Sequence, residues 1–151
     1  MAIANISDNM KITSVLAMTS ASNTTELKSA TVALAGYESI MFLTDIKITS
    51  SANILIPYLS TDSATGNMKP LQGVHVPALS TTCWVEIRNP RPEFSWAQVQ
   101  IVRDGAGCKL GTVYALQGFP RSLPANNSTA PRIQGSVFTC PSTGTATASS
   151  T

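Results

Sequence analysis

The chain has 151 residues, of which 10 are Lys or Arg and 8 are Asp or Glu, so 12% are charged, where a typical soluble domain carries roughly 25%. Ser and Thr, 18 of each along the sequence, take up the difference. With 43% hydrophobic residues and a net charge of +2, the composition excludes an intrinsically disordered chain and offers no basic footprint for nucleic acid, and no run of about 18 apolar residues suggests a membrane-spanning helix.

Residues 1–30 are mixed in character. The opening Met1-Ala-Ile-Ala-Asn-Ile-Ser has neither a basic stretch nor a long apolar one, so no signal peptide and synthesis in the cytoplasm are expected. Lys11-Ile-Thr-Ser-Val-Leu-Ala-Met reads as a strand, and the Ser/Thr/Asn cluster at 19–25 as a loop. From Thr31 the strand signals become dense. Ser39-Ile-Met-Phe-Leu-Thr-Asp-Ile-Lys is apolar and rich in strand formers. A turn over 49–53 leads to Asn53-Ile-Leu-Ile-Pro-Tyr-Leu-Ser. There Ile54, Ile56 and Tyr58 share one face, and Pro57 on the other argues for an edge or a bulge.

Thr61-Asp-Ser-Ala-Thr-Gly-Asn is a second turn, followed by Gly73-Val-His-Val-Pro. Thr82-Cys-Trp-Val-Glu-Ile-Arg puts Cys83, Val85 and Ile87 on one face and Trp84, Glu86 and Arg88 on the other. Two prolines in Asn89-Pro-Arg-Pro-Glu stop the pattern. Trp96-Ala-Gln-Val-Gln-Ile-Val alternates Ala97, Val99 and Ile101 against Gln98, Gln100 and Val102. Asp104-Gly-Ala-Gly carries a hairpin signal, with Gly111-Thr-Val-Tyr-Ala-Leu-Gln as the expected partner strand. After Gly118 the chain reads as loop, a short strand is expected at 135–139, and 141–151 has a tail composition. No segment shows a helical stripe. Short strands separated by turn signals predict an all-β, antiparallel β-sandwich or barrel.

The supply of chemistry-bearing groups is poor. His75 is the single histidine and alternates with apolar neighbours, and no GxSxG elbow places a nucleophile. Cys83, Cys108 and Cys140 are an odd number with no CxxC, which reads as free thiols. The eight acids are dispersed, so no metal site is expected. No catalytic residue, cofactor or metal is therefore expected, and the chain is read as no enzyme. The sequons at Asn5, Asn23, Asn126 and Asn127 carry no weight without secretion. A sugar-binding module would set aromatics beside paired amides, and Trp96 with Gln98 and Gln100 comes nearest. Arginine is more suggestive: Arg88, Arg91 and Arg103 flank the Pro-rich turn and the next strand, and Arg121 and Arg132 lie in the long C-terminal loop. The guanidinium fork suits pairing with carboxylates of a partner chain.

Three phrases resemble a known class. Gly36-Tyr-Glu-Ser-Ile-Met-Phe-Leu opens a core strand, Leu59-Ser-Thr-Asp-Ser-Ala-Thr-Gly follows as strand and turn, and Tyr114-Ala-Leu-Gln-Gly-Phe-Pro-Arg closes. Together they are similar to the capsid decoration, or cement, proteins of tailed bacteriophages, over about 90 of 151 residues. The chain departs from that class at Ser50-Ser-Ala-Asn, where related versions carry more charge and a longer strand.

The resemblance implies a jelly-roll-like sandwich that binds the outer surface of a phage capsid as a homo-oligomer, dimer or trimer, and bridges major capsid protein subunits. The expected organisation is an N-terminal arm and first strand over 1–30, a sandwich core over 31–118, and an extended arm with a Ser/Thr-rich tail over 119–151. Arms at 1–10 and 118–141 would add contacts, and Arg88, Arg91, Phe119, Pro120, Arg121 and Arg132 are the expected partner-binding residues. The alternative is a carbohydrate- or host-surface-binding β-module on the virion or tail. Neither reading calls for nucleic acid or membrane as a partner.

Overall fold

The computed structural model describes residues 9–19, 26–47, 54–71, 76–77, 81–88, 90, 93–103 and 109–120. Among the described residues there are eleven strands: β1 Met10–Leu16, β2 Leu27–Lys28, β3 Val32–Ala33, β4 Tyr37–Lys47, β5 Ile54–Ser60, β6 Lys69–Pro70, β7 Val76–Pro77, β8 Thr81–Arg88, β9 Trp96–Val102, β10 Lys109–Leu110 and β11 Val113–Pro120. One 3-10 turn, Thr65–Asn67, lies between β5 and β6. All strand pairs are antiparallel.

The strands form two sheets. In the first, β1 pairs β11, β11 and β10 pair one edge of β4, and β8 also pairs β4. In the second, β2 and β3 pair β9, β9 pairs β5, and β6 and β7 pair β5. The short pairs β2/β3, β6/β7 and β10/β11 each act as one interrupted strand. Counted so, there are eight strands in the orders 1-8-3-6 and 2-7-4-5. That alternation between two sheets is the double Greek-key path of a jelly roll.

Period-2 alternation supplies the core. From the first sheet, Ile40, Phe42 and Ile46 of β4 and Cys83, Val85 and Ile87 of β8 turn inward. From the second come Leu55 and Leu59 of β5 and Ala97, Val99 and Ile101 of β9. The faces expected for β8 and β9 are those observed. Registers stack these residues directly, Phe42 beside both Val85 and Ala115, and Leu55 beside Ile101.

Three bulges bend the sheets together. Residues 111–113 face only 44 and 45 of β4. Residues 29–31 face only 98 and 99 of β9, and Val15 is the extra residue of β1. Each inserts one residue and sharpens the local twist. At the first, the Gly111 N–H donates to the Asp45 carbonyl at 2.7 Å, and a Cβ there would sit 3.1 Å from that oxygen, so glycine suits the approach. The other two meet: the Ala30 N–H donates to the Val15 carbonyl at 2.8 Å, joining the β1 edge of one sheet to the β2/β3 edge of the other.

Two sequence readings change. The hairpin expected between the strands flanking 104–107 does not exist, because β9 lies in the second sheet and β10 and β11 in the first. Pro57 lies on the core-facing side, and its strand is not a bare edge, since β9 covers one side of it and β6 and β7 parts of the other. The Pro57 carbonyl accepts the Leu71 N–H at 3.0 Å. Its absent N–H therefore faces the same side, in the gap between β6 and β7, and costs no ladder bond.

Candidate functional site

The outer face of the first sheet is where this fold departs from the usual pattern of one buried and one solvated face. Registers lay out two rows across it. One runs Ile12, Leu116, Met41, Glu86 and the next Ser14, Tyr114, Leu43, Trp84. Six of these eight side chains are apolar or aromatic. Trp84 is 55% exposed, and Ile12, Met41, Leu43, Tyr114 and Leu116 are half-buried. Single exposed apolar residues are ordinary, whereas a contiguous patch marks an interaction surface. β8, which carries Trp84, is an edge strand with β4 as its one partner among the described residues.

The signal for this face was in the sequence. The run Ile40-Met-Phe-Leu is apolar at both parities, as in a strand buried on both faces. Strand propensity alone accounts for the same residues, so the run by itself does not single out the outer face.

Charge sits at the margins of the face. Arg88 is exposed and donates to Glu86 two residues earlier on β8 at 3.0 Å. The hydrogen bond to Glu86, then its charge, raises the Arg88 pKa above its ordinary value. Such an exposed pair adds little stability, and it occupies one of the expected partner-binding arginines within its own chain. Thr82 Oγ1 donates to Asp45 Oδ1 at 2.5 Å, while Lys47 and Lys109 stand opposite each other at the end of β4 and β10.

The other expected partner-binding residues are placed only in part. Phe119 and Pro120 belong to β11, which runs beyond the expected end of the core; Gly118 pairs with Ser39 and Pro120 with Tyr37. Arg91, Arg121 and Arg132 lie outside the described residues, as do His75, Cys108, Cys140, the 104–107 turn, the four sequons, the expected strand at 135–139 and the tail. Arg103 is buried at the end of β9. Among the described residues no three His, Cys, Asp or Glu side chains cluster as metal ligands do.

The outer face of the second sheet is different. Trp96, Gln98 and Gln100 follow one another along β9, with Tyr58 beside Gln98 and Ile56 beside Gln100 on β5, and Lys28 beside Gln100 on β2. The two glutamines are not exposed, as a simple sugar-binding row would have them: Gln98 is 1% and Gln100 4% accessible. Gln98 Nε2 donates to the Ser29 carbonyl at 2.5 Å, and Gln100 Nε2 donates to the Glu26 carboxylate. Among the described residues neither Oε1 has a hydrogen-bond partner. A buried acceptor left unfilled costs about 1–3 kcal/mol.

No protein-family model and no curated protein matches the chain.

Proposed function

We propose that this is a structural, non-enzymatic virion protein, made in the host cytoplasm, that binds the outer surface of a phage capsid and stabilises it by bridging major capsid protein subunits. The apolar outer face of the first sheet carries the reading. A sandwich that leaves Trp84 exposed beside a row of half-buried apolar side chains has surface to bury against a partner, and the scarcity of charge lowers the desolvation cost of doing so. The three phrases resembling the decoration proteins name the partner. Repetition over a capsid lattice turns a modest contact into firm attachment. Self-association into a dimer or trimer would multiply the contacts further.

Co-sedimentation with empty expanded capsids tests the proposal. The wild type is expected to pellet with capsids and to raise the denaturant concentration at which they rupture. Trp84→Ser is expected to lose at least tenfold in capsid affinity, as an anchor aromatic does, with an unchanged melting temperature because Trp84 lies outside the core. A wild type that neither pellets nor protects refutes the proposal.

A further inference from the structure

We propose that the outer face of the second sheet is a second, separate binding site, for a neutral polyhydroxyl ligand of the saccharide class, with the Gln98 and Gln100 carboxamides as its seat and the Lys28 side chain as a strap across it.

Three observations carry this. The first is the orientation of the amides. The Ser29 carbonyl and the Glu26 carboxylate accept hydrogen bonds and cannot donate, so both Nε2 groups must face them. Both Oε1 atoms are then left as acceptors without a donor among the described residues. The two residues stand on the same face of β9, two apart, so their stems are about 7 Å from each other. A ligand that satisfies both must donate at two points.

The second is the strap. Lys28 belongs to β2 and stands beside Gln100, whereas Tyr58 belongs to β5 and stands beside Gln98; β9 runs between them. Lys28 Nζ nevertheless lies 5.8 Å from the centre of the Tyr58 ring. The side chain reaches that ring only by crossing over β9 at the two glutamines. Lys28 is itself exposed, so it can swing into water without disturbing the core.

The third is the flank. Tyr58 and Trp96 are half-buried beside the seat. With Lys28 withdrawn, the Tyr58 face is open to the apolar face of a sugar ring while ring hydroxyls donate to the two carboxamides. The free groups are acceptors, which disfavours an anion. Glu26 is already committed to Gln100, and the aromatic flank favours a sugar over a metal ion. This site lies on the opposite sheet from Trp84, so its test on the isolated chain does not require the capsid reading to hold.

The test uses the full chain with Trp84→Phe, which leaves Trp96 as the single indole of the two in the sequence. Maltose, lactose and N,N′-diacetylchitobiose are titrated separately to about 100 mM, far above a millimolar Kd. Trp96 emission and the side-chain amide NMR signals of Gln98 and Gln100 are followed. Saturable change is expected with at least one sugar, tighter by about threefold in Lys28→Ala, where no cation–π contact has to be broken. Gln100→Met, which keeps the shape but removes the acceptor, is expected to weaken it at least tenfold. No saturable change in either the parent or Lys28→Ala overturns the proposal. So does binding that Lys28→Ala and Gln100→Met both leave unaltered. Lys28→Ala alters an exposed side chain, so it remains decisive even if Gln100→Met does not fold.

Discussion

Gly36 carries a backbone φ of +87° in the turn Leu34-Ala-Gly-Tyr37, closed by the Tyr37 N–H donating to the Leu34 carbonyl at 3.1 Å. That is the third position of a turn, where a type II conformation needs glycine. The turn carries the chain from β3 in one sheet to β4 in the other, so its strain is felt by both. Gly36→Ala is expected to lower stability by about 1–2 kcal/mol, the cost of a Cβ in this region. A urea midpoint shift at constant slope would show it. Gly66→Ala, with an ordinary φ and open space around it, is expected to stay within about 0.5 kcal/mol. The neighbouring Tyr37 phenol is raised above its ordinary pKa of 10.0 by burial. Its folded form therefore holds the proton longer than its unfolded form does. The stability it contributes is complete below pH 10 and is lost as pH rises through the folded value. Tyr37→Phe is expected to flatten the alkaline limb of the stability profile above pH 10, read by denaturation at stepped pH.

At the scale of elements, the turn between β5 and β6 explains one of the phrases that resemble decoration proteins. The Asp62 N–H donates to Ser60 Oγ at 3.1 Å. The Asp62 carboxylate then accepts the Ala64 N–H and the Asn67 side-chain amide, each at 2.8 Å. Ser and Asp are there to fold the turn onto itself. Asp62→Ala is expected to cost about 1 kcal/mol, and Asp62→Asn less, since its Oδ1 still accepts the Ala64 N–H; thermal melts of the two variants decide this. Such local chemistry is legible in a sequence. So was the alternation that sorted Cys83, Val85 and Ile87 from Trp84, Glu86 and Arg88. What local pattern could not supply was which sheet a strand joins. Asp104-Gly is a hairpin signal within its own window, yet β9 and β11 find partners up to about a hundred residues away, at Leu27 and at Met10. Gln98 shows the same limit for the sites. Alternation sets it on the face opposite Ala97 and Val99, but the groups that meet it there, the Ser29 carbonyl and Tyr58, are far from it in the chain.

For the whole molecule, one core joins the two sheets. Phe42 and Ile40 of the first sheet are fully buried with Leu55, Val99 and Ile101 of the second. Gln117 of β11 also donates across the gap to the Ala33 carbonyl of β3 at 2.7 Å. Neither sheet keeps an apolar interior without the other, so the sandwich is expected to unfold in a single cooperative step. The two tryptophans provide a test, because Trp84 lies on β8 of the first sheet and Trp96 on β9 of the second. In Trp84→Phe and Trp96→Phe variants, the remaining indole should report the same denaturation transition as far-ultraviolet circular dichroism. Phe42→Ala, which empties the middle of the shared core, is expected to cost about 3–5 kcal/mol and to move both reporters together. A transition of Trp84 that separated from that of Trp96 would mean that the sheets melt independently. The outer face carrying Trp84 could then rearrange while the second sheet stays folded. Coincident transitions would instead show that the two sheets unfold as one cooperative unit, so that the face carrying Trp84 keeps its arrangement as long as the second sheet stays folded.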